Sequence, residues 1–309
     1  MVINEGVLKD IGRVFVWFLL RYFIFIFPSP SELGIHRLLG KLYYYLDRKK
    51  GQLIRENMFH AVGSMGSSEQ AVRLHFENHF IDQYFIFSFP KLRATNIGRY
   101  LFFEGLDYLD DALEKGKGVI VIHAHLGPRL LSLFALGLKG YKVNQIEGPI
   151  IEELSAFGGY CARQKVALEK SIPATLINGR QFLRPAFDAL RNNEMVMMAG
   201  DGMGGGKFLG RQLAINFLGH KLKFPAGPDV LASKTGASLI PLFTIKGKGD
   251  PPYRAIIHAP LAVRHGRLKE REVANCVGEF VQLLEGYVIK EPYLWHFWDE
   301  FWERTGGAL

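Results

Sequence analysis

The chain has 309 residues, 48% of them hydrophobic and 22% charged, which excludes a disordered chain and suffices for a substantial core. A formal net charge of +8 favours anionic partners: a phospholipid surface, an acidic carrier protein or nucleic acid. Only two cysteines, Cys161 and Cys276, are present, far apart and outside any CxxC or Cys/His cluster. A disulfide framework and a zinc site are therefore excluded, and reducing surroundings fit.

The first element is Ile11–Phe27, IGRVFVWFLLRYFIFIF, interrupted by Arg13 and Arg21 and ended by Pro28-Ser29-Pro30. It lacks the small-residue cleavage site of a signal peptide, and Arg21 lies too far inside it for a simple spanning helix. The expected arrangement is a helix lying in or dipping into one leaflet, with its arginines at the headgroups. A surface helix packed on its own domain is the alternative. Ser31–Leu92 reads as helices, with apolar residues at helical spacing through Leu38, Leu39, Leu42, Tyr45 and Leu46, then Val72, Phe76, Phe80 and Tyr84. Ser67-Ser68-Glu69-Gln70 has the form of a helix start.

From about Tyr100 short strands alternate with helices. Strands are expected at Gly118–His123, Lys142–Ile146, Ala174–Ile177, Met195–Ala199, Ser238–Ile245 and Arg254–His258. The helices between and after them are expected at Leu106–Lys115, Leu130–Leu138, Glu152–Gln164, Gly179–Arg191, Pro228–Thr235 and Glu270–Lys290. This predicts an α/β fold with a central sheet flanked by helices. The expected organisation is a membrane-associating helix over 1–30, then one α/β domain over 31–309 with a helical annex over 31–99.

The chemistry concentrates in Gly118–Leu131, GVIVIHAHLGPRLL. The apolar β-prone run Gly118–Ile122 leads into His-Ala-His-Leu-Gly, which puts His123 and His125 at the carboxyl end of a buried strand, where open α/β sheets keep their sites. A histidine there can take a proton from a hydroxyl near neutral pH. Gly127 permits close approach of backbone or substrate. The other reading of His125 is a buried histidine bonded to a carbonyl. Strand alternation turns His123 away from Ile122 and Ala124, and if both rings share a face only one is comfortably protonated.

GKGVIVIHAHLG, with its lead-in FEGLDYLDDALEKGKG, resembles the first motif of the bacterial lipid A biosynthesis acyltransferases, within the wider lysophospholipid acyltransferase group. The resemblance extends in order along the chain. Arg55-Glu56-Asn57 is similar to an upstream Arg-x-Asn segment. Ala189-Leu190-Arg191 followed by EMVMMAGDG resembles the second motif, and FPAGPDVLASKTGASLIPLFTIK resembles a Gly-Pro helix with its strand entry. EPYLW resembles the start of the C-terminal motif. The resemblance implies a glycerolipid-acyltransferase-like mixed sheet and a catalytic base at His125. It places the family's second-motif aspartate on Asp201.

Three departures stand out. The acid expected five residues after the histidine is Leu130. Pro128 and Arg129 replace an Asn-Trp pair. His296-Phe297-Trp298-Asp299-Glu300 replaces a sequence carrying His-Arg-Arg. Of the carboxylates elsewhere in the chain, Asp201, at another strand's end, is the candidate to stand in for the acid. His265…Glu270 repeats the spacing but sits in a polar surface stretch.

The activity implied is transfer of a fatty acyl group from a thioester to a hydroxyl of a lipid A-like or other membrane lipid acceptor. The donor is acyl carrier protein or acyl-CoA, at the cytoplasmic face of the inner membrane, among anionic lipids and with no cofactor or metal. An inactive homologue that binds acyl chains or lipids is the alternative. Arg163, which matches an arginine between the first two motifs, and Arg180 are candidates for gripping phosphate; solvated helix-face cations are the plain reading. His123 and Gly127 are expected beside the substrate. GMGGG after Gly200 is either a lid or a plain loop, and it lacks the spacing of a nucleotide loop. The terminal aromatics Tyr293, Trp295, Phe297, Trp298, Phe301 and Trp302 suit either a membrane interface or core packing. Nucleic-acid binding has only charge in its favour, without a basic stripe of interleaved aromatics.

Overall fold

A computed structural model describes residues 11–12, 14–27, 30–148, 156–179, 183–202, 210–264, 266 and 270–305. The N-terminal segment is helical: a π-helical run over Phe15–Leu20 continues as α1 (Arg21–Ile26). One stripe faces inward, where Leu20 and Ile24 are buried and the Trp17 ring meets Phe87 edge-on at 5.0 Å. Lys91 fastens the end of the segment by donating to the carbonyls of Ile24 and Phe27 while pairing with Glu32 at 3.2 Å. The outward stripe leaves Phe15, Phe18, Leu19, Tyr22, Phe23, Phe25 and Ile26 exposed. Arg21 departs from the expected headgroup position, since its guanidinium is half-buried and donates to Gln164 at 3.1 Å. Arg13 lies outside the described residues. No described helix is long and apolar enough to cross a membrane.

The annex follows as α2 (Glu32–Leu46), α3 (Arg48–Gly66) and α4 (Glu69–Tyr84). The Ser68 hydroxyl caps α4 by accepting from the Ala71 amide, as the polar start signal predicts. Then come β1 (Leu101–Glu104), α5 (Asp107–Glu114), β2 (Val119–His123), α6 (Arg129–Leu138), β3 (Val143–Glu147), α7 (Ala156–Glu169) and β4 (Thr175–Asn178). The chain continues through α8 (Arg184–Arg191), β5 (Met195–Ala199), β6 (Gln212–Phe217), β7 (His220–Pro225), α9 (Gly227–Thr235), β8 (Ser238–Lys246), β9 (Tyr253–Ile257) and α10 (Glu270–Lys290).

Seven strands form a mixed sheet in the order β1-β9-β8-β2-β5-β3-β4. Strands β8, β2, β5, β3 and β4 run parallel; β9 lies antiparallel to β8, and β1 parallel to β9. The fold is thus the α/β architecture expected, with a helical N-terminal region. Strand β2 is buried along its whole length, which is why it reads as unbroken apolar sequence: both faces of a parallel sheet are covered. Ile120, Ile122, Val196 and Met198 join one apolar cluster, while Val119, Val121, Met195 and Met197 join the other. The annex contributes to both, with Phe76 and Met58 on one side and Ile81 and Phe85 on the other. Each fully buried Val or Ile contributes roughly 1.5–3 kcal/mol of hydrophobic burial.

Three strands are absent from the sequence reading. Strand β1 is only four residues long, and the β6–β7 hairpin turns on Leu218-Gly219, outside the usual Asn-Gly signal. Both turn residues have positive φ (52° and 79°), the pattern of a type I′ turn. Leu218, unusual there, is held by its amide donating to Glu285 at 2.6 Å.

The interior also carries neutral histidines. Both ring nitrogens of buried His36 lack hydrogen-bond partners among the described residues. Burial, reinforced by the Lys91 charge, lowers the His36 pKa to about 3. Burial likewise lowers His123 to about 3 and depresses His75 and His79 well below the ordinary value. A histidine whose folded pKa is depressed supplies its full stability above the unfolded value near 6.5 and loses it as pH falls toward the folded value. Stability should therefore fall between pH 6.5 and 4, before the carboxylates titrate, by about 2 kcal/mol per buried histidine at pH 5. Urea unfolding of wild type and His36→Leu at pH 7.5 and 5 checks this. The variant should lose about 2 kcal/mol less than wild type between the two pH values.

Candidate active site

The site is assembled by strand register. β2 and β5 are parallel neighbours with His123 opposite Ala199, and the Gly200 amide donates to the His123 carbonyl at 2.7 Å. Two residues further along each chain, at the carboxyl ends of the strands, His125 and Asp201 fall side by side. His125 Nδ1 lies 2.8 Å from Asp201 Oδ1, and the His125 amide donates to both carboxylate oxygens at 3.0 and 2.9 Å. The carboxylate can only accept, so Nδ1 carries the proton and Nε2 is left with its lone pair. His125 keeps 18% of its side chain exposed, whereas Asp201 keeps none.

The C-terminal segment closes around this pair. Leu294–His296 runs antiparallel to the motif: the Gly127 amide donates to the Leu294 carbonyl and the His296 amide to the His125 carbonyl, both at 3.0 Å. The His296 ring donates from Nε2 to the Gly127 carbonyl at 2.8 Å. Trp295 Nε1 donates to Asp201 Oδ2 at 3.1 Å, giving the carboxylate its third N–H donor. The Phe297 ring packs on His125 with centroids 4.5 Å apart, and the Arg304 guanidinium lies 3.7 Å from the Phe297 centroid. Arg304 is itself buried and donates to the Asp201 carbonyl. Further upstream, Asn57 of the Arg-x-Asn segment donates to the Trp298 carbonyl at 2.6 Å, tying the annex to the same tail.

Burial would raise the Asp201 pKa. The His125 charge and hydrogen bonds, with Arg304, outweigh it and hold the carboxyl down to about 2. Asp201 is therefore ionised throughout the neutral range. For His125 the balance goes the other way: burial, then the Arg129 charge, lowers its pKa despite Asp201. A neutral imidazole with a free Nε2, oriented by a buried carboxylate, can accept a proton from a hydroxyl.

Gly127 has φ +59°, and a Cβ there would stand 2.4 Å from the Thr244 carbonyl oxygen of β8. Its bareness serves backbone packing as well as the turn. Gly202 lies against His125, where an added Cβ would meet its Cε1 at 3.1 Å. His123 is 5% exposed, and its ring centroid lies 6.3 Å from that of His125. Leu130 is half-buried beside an apolar cluster, with no acid in its place. Arg163 is exposed on α7 and makes none of the contacts that build the pair. Arg180, Met203–Gly206 of the glycine-rich tract and His265 lie outside the described residues. Trp295, Trp298 and Phe301 are fully buried, so these terminal aromatics are core and site wall, unavailable to a membrane interface. Among the described residues no cluster of His, Cys, Asp or Glu is arranged to hold a metal.

Arg304 and Asp82 escape sequence reasoning, as does the hydrogen bond from Trp295. Trp295 had a signal, since it lies in the EPYLW motif, but nothing in the sequence shows its indole reaching Asp201. Asp82, on α4, faces Arg129 at 3.7 Å.

A mixed α/β sheet with a histidine and a buried aspartate paired at adjacent strand ends is the frame of the candidate site. The sequence profile of the bacterial lipid A biosynthesis acyltransferases matches residues 8–304, nearly the whole chain. The chain belongs to that family, whose members are acyltransferases of lipid A biosynthesis. No individual curated sequence matches it.

Gly127→Ala should destabilise the protein by about 2 kcal/mol or more, through a left-handed backbone strained for alanine and the clash with Thr244. A lowered urea midpoint with an unchanged slope is the expected result.

Proposed function

We propose that this member transfers a fatty acyl group from an acyl thioester to a hydroxyl of a lipid A-like acceptor, with His125 as general base. The acyl donor in this reading is acyl carrier protein or acyl-CoA. The acceptor hydroxyl gives its proton to His125 Nε2 as its oxygen attacks the thioester carbonyl. An oxygen–carbon bond forms, the carbon–sulfur bond breaks, and the proton passes from His125 to the departing thiolate. Asp201 holds the imidazole in the reactive tautomer and stabilises the imidazolium that forms. It thereby fills the role left open by Leu130, from a different strand.

The observation that carries this reading is the 2.8 Å contact between His125 Nδ1 and a fully buried Asp201, which leaves Nε2 unprotonated. The exposed aromatic stripe of the N-terminal helix and the positive net charge support peripheral association with an anionic leaflet, the cytoplasmic face of the inner membrane.

Acyl transfer from dodecanoyl-acyl carrier protein to an underacylated lipid A precursor in mixed micelles tests the proposal. His125→Ala should abolish transfer. Asp201→Asn should lower kcat by roughly 10³–10⁴ at similar donor KM, since the amide selects the wrong tautomer. The pH at which wild-type activity is half lost on acidification should lie below 6.5, because burial and Arg129 keep His125 neutral. Equal turnover by wild type and His125→Ala would overturn the assignment of the base. Tight binding of the thioester with no turnover in wild type would identify an inactive acyl-binding homologue instead.

A further inference from the structure

Arg129 is a cation beside the base whose hydrogen-bonding capacity is unspent. It is the first residue of α6, four positions after His125, and its charge is the largest electrostatic influence of any side chain on the His125 ring. Three-quarters of its side chain is buried. Yet its side chain makes no hydrogen bond among the described residues, and Nε is sealed from solvent without an acceptor. Its one ion pair among the described residues is long, Nε to Asp82 Oδ2 at 3.7 Å. Asp82 is 6% exposed and its Oδ1 is also without a partner, so it balances charge from behind without using the donors. A guanidinium carries five N–H donors in a planar fork; in Arg129 only Nε is sealed from solvent, where an unmet donor is unfavourable, and the terminal N–H groups stay open to an oxyanion. The amino end of α6 adds its own partial positive charge and has no acidic side chain in its first turn.

We propose that Arg129 is a specificity-determining residue that binds an anionic oxyacid group, a phosphate or a carboxylate, carried by the acceptor close to its reacting hydroxyl. This rests on the acyl-transfer reading above and names the acceptor class for the same site. The acceptor is favoured over the donor by reach. The phosphate of a phosphopantetheine thioester lies many bonds from the carbonyl that must meet His125, whereas Arg129 opens the helix four residues after that histidine and its charge is felt at the ring.

The test uses three acylated glucosamine lipids in neutral detergent micelles: one phosphorylated, one carrying a carboxymethyl group in place of the phosphate, and one neutral. Equilibrium binding is measured first for wild type, Arg129→Gln and Arg129→Lys, and needs no turnover. Wild type should bind an anionic form about 10-fold or more tightly than the neutral form, the scale of one charge-assisted hydrogen bond. That ratio should fall to about 1 in Arg129→Gln and be partly kept in Arg129→Lys. Which anion is preferred names the acceptor's group. Where transfer occurs, the ratio of kcat/KM between the anionic and neutral acceptors should follow, through KM. Wild type binding all three lipids equally would overturn the proposal, whether or not it turns over. So would a fall in kcat on every acceptor with the preference intact, which is the signature of a residue stabilising the transition-state oxyanion. Absence of transfer with the binding ratios as expected would sink the acyl-transfer reading while leaving the anion site standing. Far-ultraviolet dichroism of both variants confirms that each is folded.

Discussion

The Asp201 carboxylate is the group on which the site depends. It is wholly buried and ionised, a state that is unfavourable by several kcal/mol unless hydrogen bonds replace its lost water. Three N–H donors do so, two from His125 and one from Trp295, while Arg304 binds the carbonyl of the same residue. Satisfying this one anion fixes the tautomer of His125, the position of the C-terminal tail and the rotamer of a buried tryptophan. A partly satisfied network of this kind would be worse than an apolar core, so its members constrain one another strongly.

The same constraint gives His125 a carboxylate partner although Leu130 stands where an acid is expected. A carboxylate adjacent in sequence to a base is one way to orient it. A carboxylate brought in by the neighbouring strand is another, and here it is fully buried and accepts from three N–H groups. The C-terminal segment takes part through Phe297 and Arg304. The guanidinium stacked on Phe297 places a cation near His125 in a tail that lacks the His-Arg-Arg sequence. The terminal aromatics are therefore spent on building the site wall, and the apolar surface facing outward belongs to the N-terminal helix.

The annex is more than an appendage. His75, His79 and Asp82 lie on one face of α4, packed toward His296 and Arg129. Asn57 holds the tail from α3. Movement of the N-terminal helices would be felt at the strand ends through these contacts. Arg21 and Phe18 likewise link the exposed apolar helix to α7, with Phe18 stacked on Tyr160 at 5.4 Å.

The α/β class, six of the strands and His125 at a strand end were legible in the sequence, because apolar runs and helical periodicity are local signals. Asp201 was legible as a strand-end acid. The short strand β1 and the β6–β7 hairpin were not: one is four residues long, and the other turns on a Leu-Gly pair that tertiary contacts hold in place. What only the tertiary structure decided is that β5 lies beside β2, in a register that sets Ala199 against His123. Strand order follows from how helices pack across an open sheet, and no local spacing records it. That register is why a histidine and an aspartate 76 positions apart share a proton-bearing contact. It is also why Trp295, Arg304 and Arg129 acquire roles that their own neighbours in sequence do not show.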